Sequence, residues 1–277
     1  MHFNDKTLIY IKTNHKTILI ICLNFKRILV NIKEPIKKYF LRPIKFFEIC
    51  KRIKFFGFKR YCTVCNSNVS IFLPFNKLNP REDAQCPICL SLERHRLVIV
   101  FLKQQTSLFN NQKKEFLHIA PEKGFIKSFA SAAKEGYLTA DLMDKTVMEK
   151  MDITDIHHTD NTFDIIYCSH VLEHVDDDRK AIREFYRTLK IGGWAILNVP
   201  ITEEITFEDP TVTDPKERER LFRQDDHVRC YGPDYIDRLK EVGFNVTVIT
   251  PKDLFDKKEI LKYGVSNGAG EIFYCVK

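Results

Sequence analysis

The sequence predicts an α/β protein, a mostly parallel sheet covered by helices on both faces. Two observations predict it. From residue 115 to the end, short apolar runs alternate with amphipathic helical segments, the pattern of strands joined by covering helices. One of these runs, FDIIYCSHV, is β-type and apolar over most of its length, as a strand buried on both faces requires. The length of 277 residues allows one full core plus a small accessory module, and 44% hydrophobic with 29% charged residues is ordinary globular composition.

The elements follow in order. EFLHIAP is a strand, 124–135 a helix, and YLTADL the next strand, with a further short strand near VMEKMD. FDIIYCSHV is followed by the helix DDRKAIREFYRTLK and the strand GGWAILNVPI. PDYIDRLKEVG is a helix, and NVTVIT and EIFYCVK close the chain as strands. Ahead of them, SLERHRLVIVFLKQQ reads as a helix over 91–105.

The N-terminal part is different in character. Residues 1–60 carry 15 Lys and Arg against 3 acids, whereas 61–277 carry 29 against 34, so the net +7 belongs to the first segment. A main domain without basic surplus disfavours nucleic acid as a partner. Residues 1–34 form either a hairpin or an extension preceding the domain. From Pro43, a favoured first helical residue, Phe46, Ile49, Cys50, Ile53 and Phe56 recur at helical spacing, with Lys45, Glu48, Lys51 and Arg52 largely elsewhere. Residues 35–60 thus contain a basic amphipathic helix, which either packs on its own domain or lies on an anionic membrane surface. TILIICL, at 17–23, falls well short of the roughly 20 apolar residues that span a bilayer.

Nine cysteines without a disulfide-like spacing pattern suit a reducing compartment, and a cytoplasmic location is expected. Four of them, Cys62, Cys65, Cys86 and Cys89, form two C-x-x-C knuckles twenty residues apart, the spacing of a four-cysteine zinc ribbon. Four thiolates close the coordination shell, so such a zinc braces the fold and leaves no position for chemistry. Redox chemistry is the alternative, but a thioredoxin-like centre needs one C-x-x-C at a strand-to-helix junction.

HVLEH, residues 170–174, poses a separate question. On a helix, His170 and His174 would share a face around Glu173, as in the zinc-protease pattern H-x-x-E-H. The β-type run before it argues instead that HVLEHV is the exit loop of a buried strand.

HIAPEKG, FDIIYCSHVLEHV, FYRTLKIGGWAIL and DHVRCYG, in that order, resemble the class I S-adenosylmethionine-dependent methyltransferases over residues 115–250, in the branch with the general methyltransferase domain and in a subgroup bearing an N-terminal cysteine ribbon. The resemblance implies a Rossmann-like, doubly wound, seven-stranded sheet. It divides the chain into a basic segment (1–60), a ribbon with its linking helix (61–109) and a methyltransferase domain (110–277). It also implies S-adenosylmethionine and a structural zinc as cofactors. His118, Ala120, Glu122 and Gly124 stand where the family has an acidic residue and three glycines, so only the last glycine is kept. Asp141, with Leu142 beside it, stands where the family binds the ribose hydroxyls. Asp152 and Ile153 stand at the adenine, and Ser169 and His170 line the donor. Methylation of a hydroxyl can need a base, for which His170, Asp226 and His227 are candidates. The last two lie in an insertion, 202–232, placed to form a lid over the acceptor. The expected acceptor is a small molecule, a glycan or a lipid-linked compound. Two other readings stand beside this one. One is a non-catalytic ribbon protein with a degenerate cofactor pocket. The other is an RNA methyltransferase, disfavoured by the charge neutrality of residues 61–90.

Overall fold

The computed structural model describes two N-terminal strands and residues 43–277 apart from 77–79 and 267, with side chains from residue 49 onward. Residues 1–7, 14, 15 and 22–42 lie outside the described part, and with them the start of the segment 35–60. The chain divides into two compact units, Met1–Lys51 and Arg52–Lys277.

In the first unit, β1 (Leu8–Thr13) and β2 (Lys16–Ile21) form an antiparallel hairpin. Helix α1 (Pro43–Lys54) follows and runs across the unit boundary. In the second unit, β3 (Arg60–Cys62) pairs with β4 (Ser67–Val69), and β5 (Leu73–Phe75) with β6 (Arg81–Gln85). These two hairpins carry the cysteine knuckles. Helix α2 (Glu93–Gln105) leads from them into the sheet.

The sheet strands are β7 (Phe116–Ile119), β8 (Tyr137–Asp141), β9 (Glu149–Lys150), β10 (Phe163–Ser169) and β11 (Leu189–Asn198). Beyond a two-stranded ribbon of β12 (Phe207–Glu208) and β13 (Arg229–Cys230) come β14 (Asn245–Ile249) and β15 (Ile272–Val276). The seven strands lie in the order β14-β15-β11-β10-β7-β8-β9. All pairings are parallel except those of β15, which inserts antiparallel between β11 and β14.

Helices α3 (Ile126–Ala133), α4 (Asp178–Thr188), α5 (Pro215–Phe222), α6 (Tyr235–Glu241), α7 (Pro251–Leu254) and α8 (Lys257–Tyr263) complete the unit. Alternation along β10 feeds two cores. Phe163, Ile166 and Cys168 pack with Ala181, Ile182 and Phe185 of α4 and with Tyr235 and Leu239 of α6. Ile165 and Tyr167 pack on the other face with Leu97–Leu102 of α2 and Phe129 of α3. The sheet is therefore covered on both faces, and one cover is the helix that grows out of the cysteine hairpins.

Arg96 fastens this arrangement. It is fully buried and donates to the carbonyls of Ala84, Ser91, Tyr263 and Gly264, at 2.6–3.0 Å. Its guanidinium also lies 3.8 Å above the Phe72 ring. Five fixed N–H donors let one side chain satisfy carbonyls of the hairpins and of α8 together.

Candidate active site

Strand order reverses between β7 and β10, the place where open parallel sheets bind ligands beyond their carboxyl ends. Both strands end in left-handed, non-glycine residues, Ala120 at φ +46° and His170 at φ +56°. Such conformations cost of order 1 kcal/mol and collect at functional sites. Ala120 thus keeps a backbone that glycine would adopt freely, and its N–H is held by the Ala140 carbonyl at 2.9 Å. Gly124 has no such constraint, and a Cβ there would meet only Val64 of the first cysteine knuckle, at 3.8 Å.

Glu122 faces the protein. Its Oε1 lies 2.6 Å from His95 Nε2 and 3.6 Å from Arg94 Nε, and its Oε2 accepts from the Tyr167 hydroxyl at 3.0 Å. His95 Nδ1 accepts the Leu92 N–H, so Nε2 carries the proton donated to Glu122. Burial opposes charge on Glu122, but the His95 hydrogen bond and the charges around it prevail and hold its pKa near 2. The loop after β7 is thereby tied to α2 and to β10. Neither Arg94 nor His95 was marked by any cofactor motif in the sequence, because the link depends on where α2 lies.

His118 is fully buried in a box formed by Phe116, Phe129, Tyr137 and Tyr167. Its Nδ1 lies 2.7 Å from the Tyr137 hydroxyl, and burial lowers its pKa to about 4. Its Nε2 has no hydrogen-bond partner.

At the end of β8, Asp141 Oδ1 accepts the N–H groups of Met143 and Asp144, both at 2.7 Å. Both bonds fall on Oδ1. Leu142 beside it is exposed. Asp152 Oδ1 accepts the amide and hydroxyl of Thr154, each at 2.8 Å, which lowers its pKa. Ile153 belongs to the core below the sheet. Ser169 ends β10 with a buried hydroxyl that makes no hydrogen bond.

HVLEH is not an α-helix. His170 leaves the strand and Leu172–His174 make a single 3-10 turn. The insertion 202–232 docks on this turn. Val228 N donates to the Glu173 carbonyl at 2.9 Å, and Arg229 donates to the carbonyls of Leu172 and Asp176, both at 2.8 Å. Docking brings the three base candidates into one neighbourhood. His170 Nδ1 lies 3.3 Å from Glu173 Oε1, Asp226 Oδ2 lies 3.2 Å from His174 Nδ1, and the His174 and His227 rings meet edge to face at 4.6 Å. Burial and then His174 lower the pKa of His227.

The four cysteines also converge. Cys62 and Cys89 sulfurs are 3.6 Å apart, and those of Cys65 and Cys86 3.8 Å, with all four within 4.8 Å. A tetrahedron of sulfurs bonded to zinc has edges of ~3.8 Å, so the tetrad fits that ion. Ser91 Oγ supports it at 3.2 Å from Cys62 and 3.1 Å from Cys89.

Residues 103–197, from the end of α2 through β11, match the family described as methyltransferase domain. Comparison with curated proteins gives no match. Among solved structures, a putative methyltransferase from Bacillus halodurans shares 20% identity, covering 59% of this chain and 88% of its own, at a TM-score of 0.36. An S-adenosylmethionine-dependent methyltransferase from Mesorhizobium loti shares 14% over 60% and 92%, at 0.43. The [4+2]-cyclase SpnF shares 13% over 77% and 90%, at 0.44. The match thus covers the segment that forms β7 to β11.

Proposed function

We propose that this protein transfers a methyl group from S-adenosylmethionine to a hydroxyl of a small-molecule, glycan or lipid-linked acceptor. The family match over 103–197 carries the reading. The residues at the switch point suit the cofactor. Asp141 offers an unused carboxylate oxygen for ribose hydroxyls. Ala120 keeps the backbone turn that lets main chain approach a ligand. Ser169 presents a buried hydroxyl in need of a partner. Asp152 and the backbone beside Ile153 are assigned to the adenine side. Glu122 is assigned to holding its loop, since both its oxygens already bond protein groups. When bound, the cofactor supplies a sulfonium methyl group. The chain's own work is to orient the acceptor, exclude water and accept or release a proton near His170, Asp226 and His227.

Cys62, Cys65, Cys86 and Cys89 are assigned to a structural zinc with a closed shell. The exposed Ile49, Ile53, Phe56 and Phe58, in the basic segment 35–60 with 9 Lys and Arg against 1 acid, support peripheral contact with an anionic membrane through those residues. Among the described residues no helix is long and apolar enough to cross a membrane.

The test is calorimetric titration with S-adenosylhomocysteine. The intact protein is expected to bind. Asp141→Ala is expected to weaken binding by about 10- to 100-fold, the worth of a lost charge-assisted hydrogen bond. Absence of heat with folded, zinc-loaded protein would favour the non-catalytic ribbon protein instead.

A further inference from the structure

Glu173, His174 and His227 each present a ligand atom, and the three atoms lie within 4.8 Å of one another. The contacts on their far sides indicate which atoms these are. His227 Nδ1 lies 3.0 Å from the Phe222 carbonyl, which can only accept, so Nδ1 carries the proton and Nε2 a lone pair. That Nε2 is buried and has no partner. His174 Nδ1 lies 3.2 Å from the Asp226 carboxylate, and a proton held there leaves a lone pair on Nε2. Glu173, with a side chain only 2% exposed, engages His170 through Oε1 and leaves a buried Oε2 without a partner.

Three lone pairs in one small space repel one another, and two of them, on Glu173 Oε2 and His227 Nε2, are buried away from the water that would otherwise satisfy them. A cation resolves the conflict. The pattern of a ligating histidine whose other nitrogen is held by a carboxylate or a carbonyl is the usual support for a metal ion. The geometry points to a divalent first-row transition cation bound by Glu173 Oε2 and the Nε2 atoms of His174 and His227. One carboxylate and two imidazoles suit such an ion and leave open positions for an exogenous oxygen. His174 is a third exposed, so the open side faces solvent. Given the methyltransferase reading, on which this last step rests, the oxygen that takes the open position is the acceptor's hydroxyl. Coordination lowers the pKa of that hydroxyl and releases its proton to solvent. The cation would then fill the place of a general base.

The site is separate from the cysteine tetrad, and its harder donors allow the two to be told apart. Protein carrying one zinc per chain is titrated with Co(II), followed by calorimetry and visible absorption. One further equivalent should bind, with d–d bands and without thiolate charge-transfer absorption. His174→Ala, at a part-exposed position, and the isosteric Glu173→Gln should each weaken that binding by about 100-fold, and Asp226→Asn by about 10-fold, as loss of an outer partner does. S-adenosylhomocysteine titration of the same variants serves as control and should be unchanged. Cobalt uptake that is absent, that displaces the zinc, or that persists unaltered in both His174→Ala and Glu173→Gln would overturn the proposal. Loss of S-adenosylhomocysteine binding in the intact protein would overturn the methyltransferase reading and leave the metal site standing.

Discussion

At the scale of single residues, the loop after β7 takes a left-handed turn without a glycine. Ala120 takes the left-handed conformation at φ +46°, and its small side chain keeps the cost near 1 kcal/mol. Ala120→Gly relieves that strain but enlarges the freedom of the unfolded chain, so stability should change by less than about 1 kcal/mol. Ala120→Val puts a β-branched residue in the same conformation and should cost about 2 kcal/mol or more, with weaker S-adenosylhomocysteine binding. Thermal denaturation of the two variants checks the pair. Equal stability for valine and glycine would mean that the turn relaxes easily and positions nothing. Glu122 makes the complementary point. The sequence shows that a carboxylate replaces a glycine, and the structure shows it bonded to His95 and Tyr167.

At the scale of elements, α2 joins what the sequence separates. It begins in the cysteine hairpins, covers one face of the sheet through Leu97–Leu102, and offers His95 to the loop after β7. His95→Ala removes both its bond to Glu122 and its acceptance of the Leu92 N–H. A loss of about 2 kcal/mol is expected, with weaker cofactor binding although His95 lies outside every cofactor motif. Unchanged S-adenosylhomocysteine affinity in this variant would show that the link is structural only. Much of the sheet was legible because its strands are short β-type runs and its helices have one apolar face. FDIIYCS became β10 and DRKAIREFYRT became α4 with little shift. The two C-x-x-C knuckles were legible too, since local spacing alone brings each pair together. Less legible were contacts between distant segments. Nothing local announces that Arg96 would bind carbonyls of Tyr263 and Gly264, or that His227 would meet His174. Reading HVLEH as a strand exit correctly removed the helical zinc-protease pattern. It did not reveal that a histidine some fifty residues later comes back to Glu173 and His174.

At the scale of the whole molecule, the buried titratable groups of the second unit make stability depend on pH in one direction. Burial depresses the His118 pKa to about 4 in the folded protein, against 6.5 for the free side chain. Between these values the unfolded chain holds a proton on His118 that the native state lacks. Stability therefore rises with pH across this window and is lost as pH falls through it, by about 3 kcal/mol for this group. His227, whose pKa is also lowered, acts in the same sense. Glu122 and Glu208, both held near 2 against 4.5, act lower down. Their contribution is fully present above 4.5 and disappears as the pH approaches 2. The melting temperature should therefore fall in two stages, one between pH 6.5 and 4 and one below 4.5. His118→Phe, which keeps an aromatic ring in the box of Phe116, Phe129 and Tyr167, should flatten most of the first stage and leave the second. Calorimetric melting of both proteins across pH 3–7 decides this. Parallel curves for the wild type and His118→Phe between pH 6.5 and 4 would mean that His118 takes up its proton without cost. A pocket beside it would then be open to water, contrary to the dry aromatic box in which the first strand of the site is set.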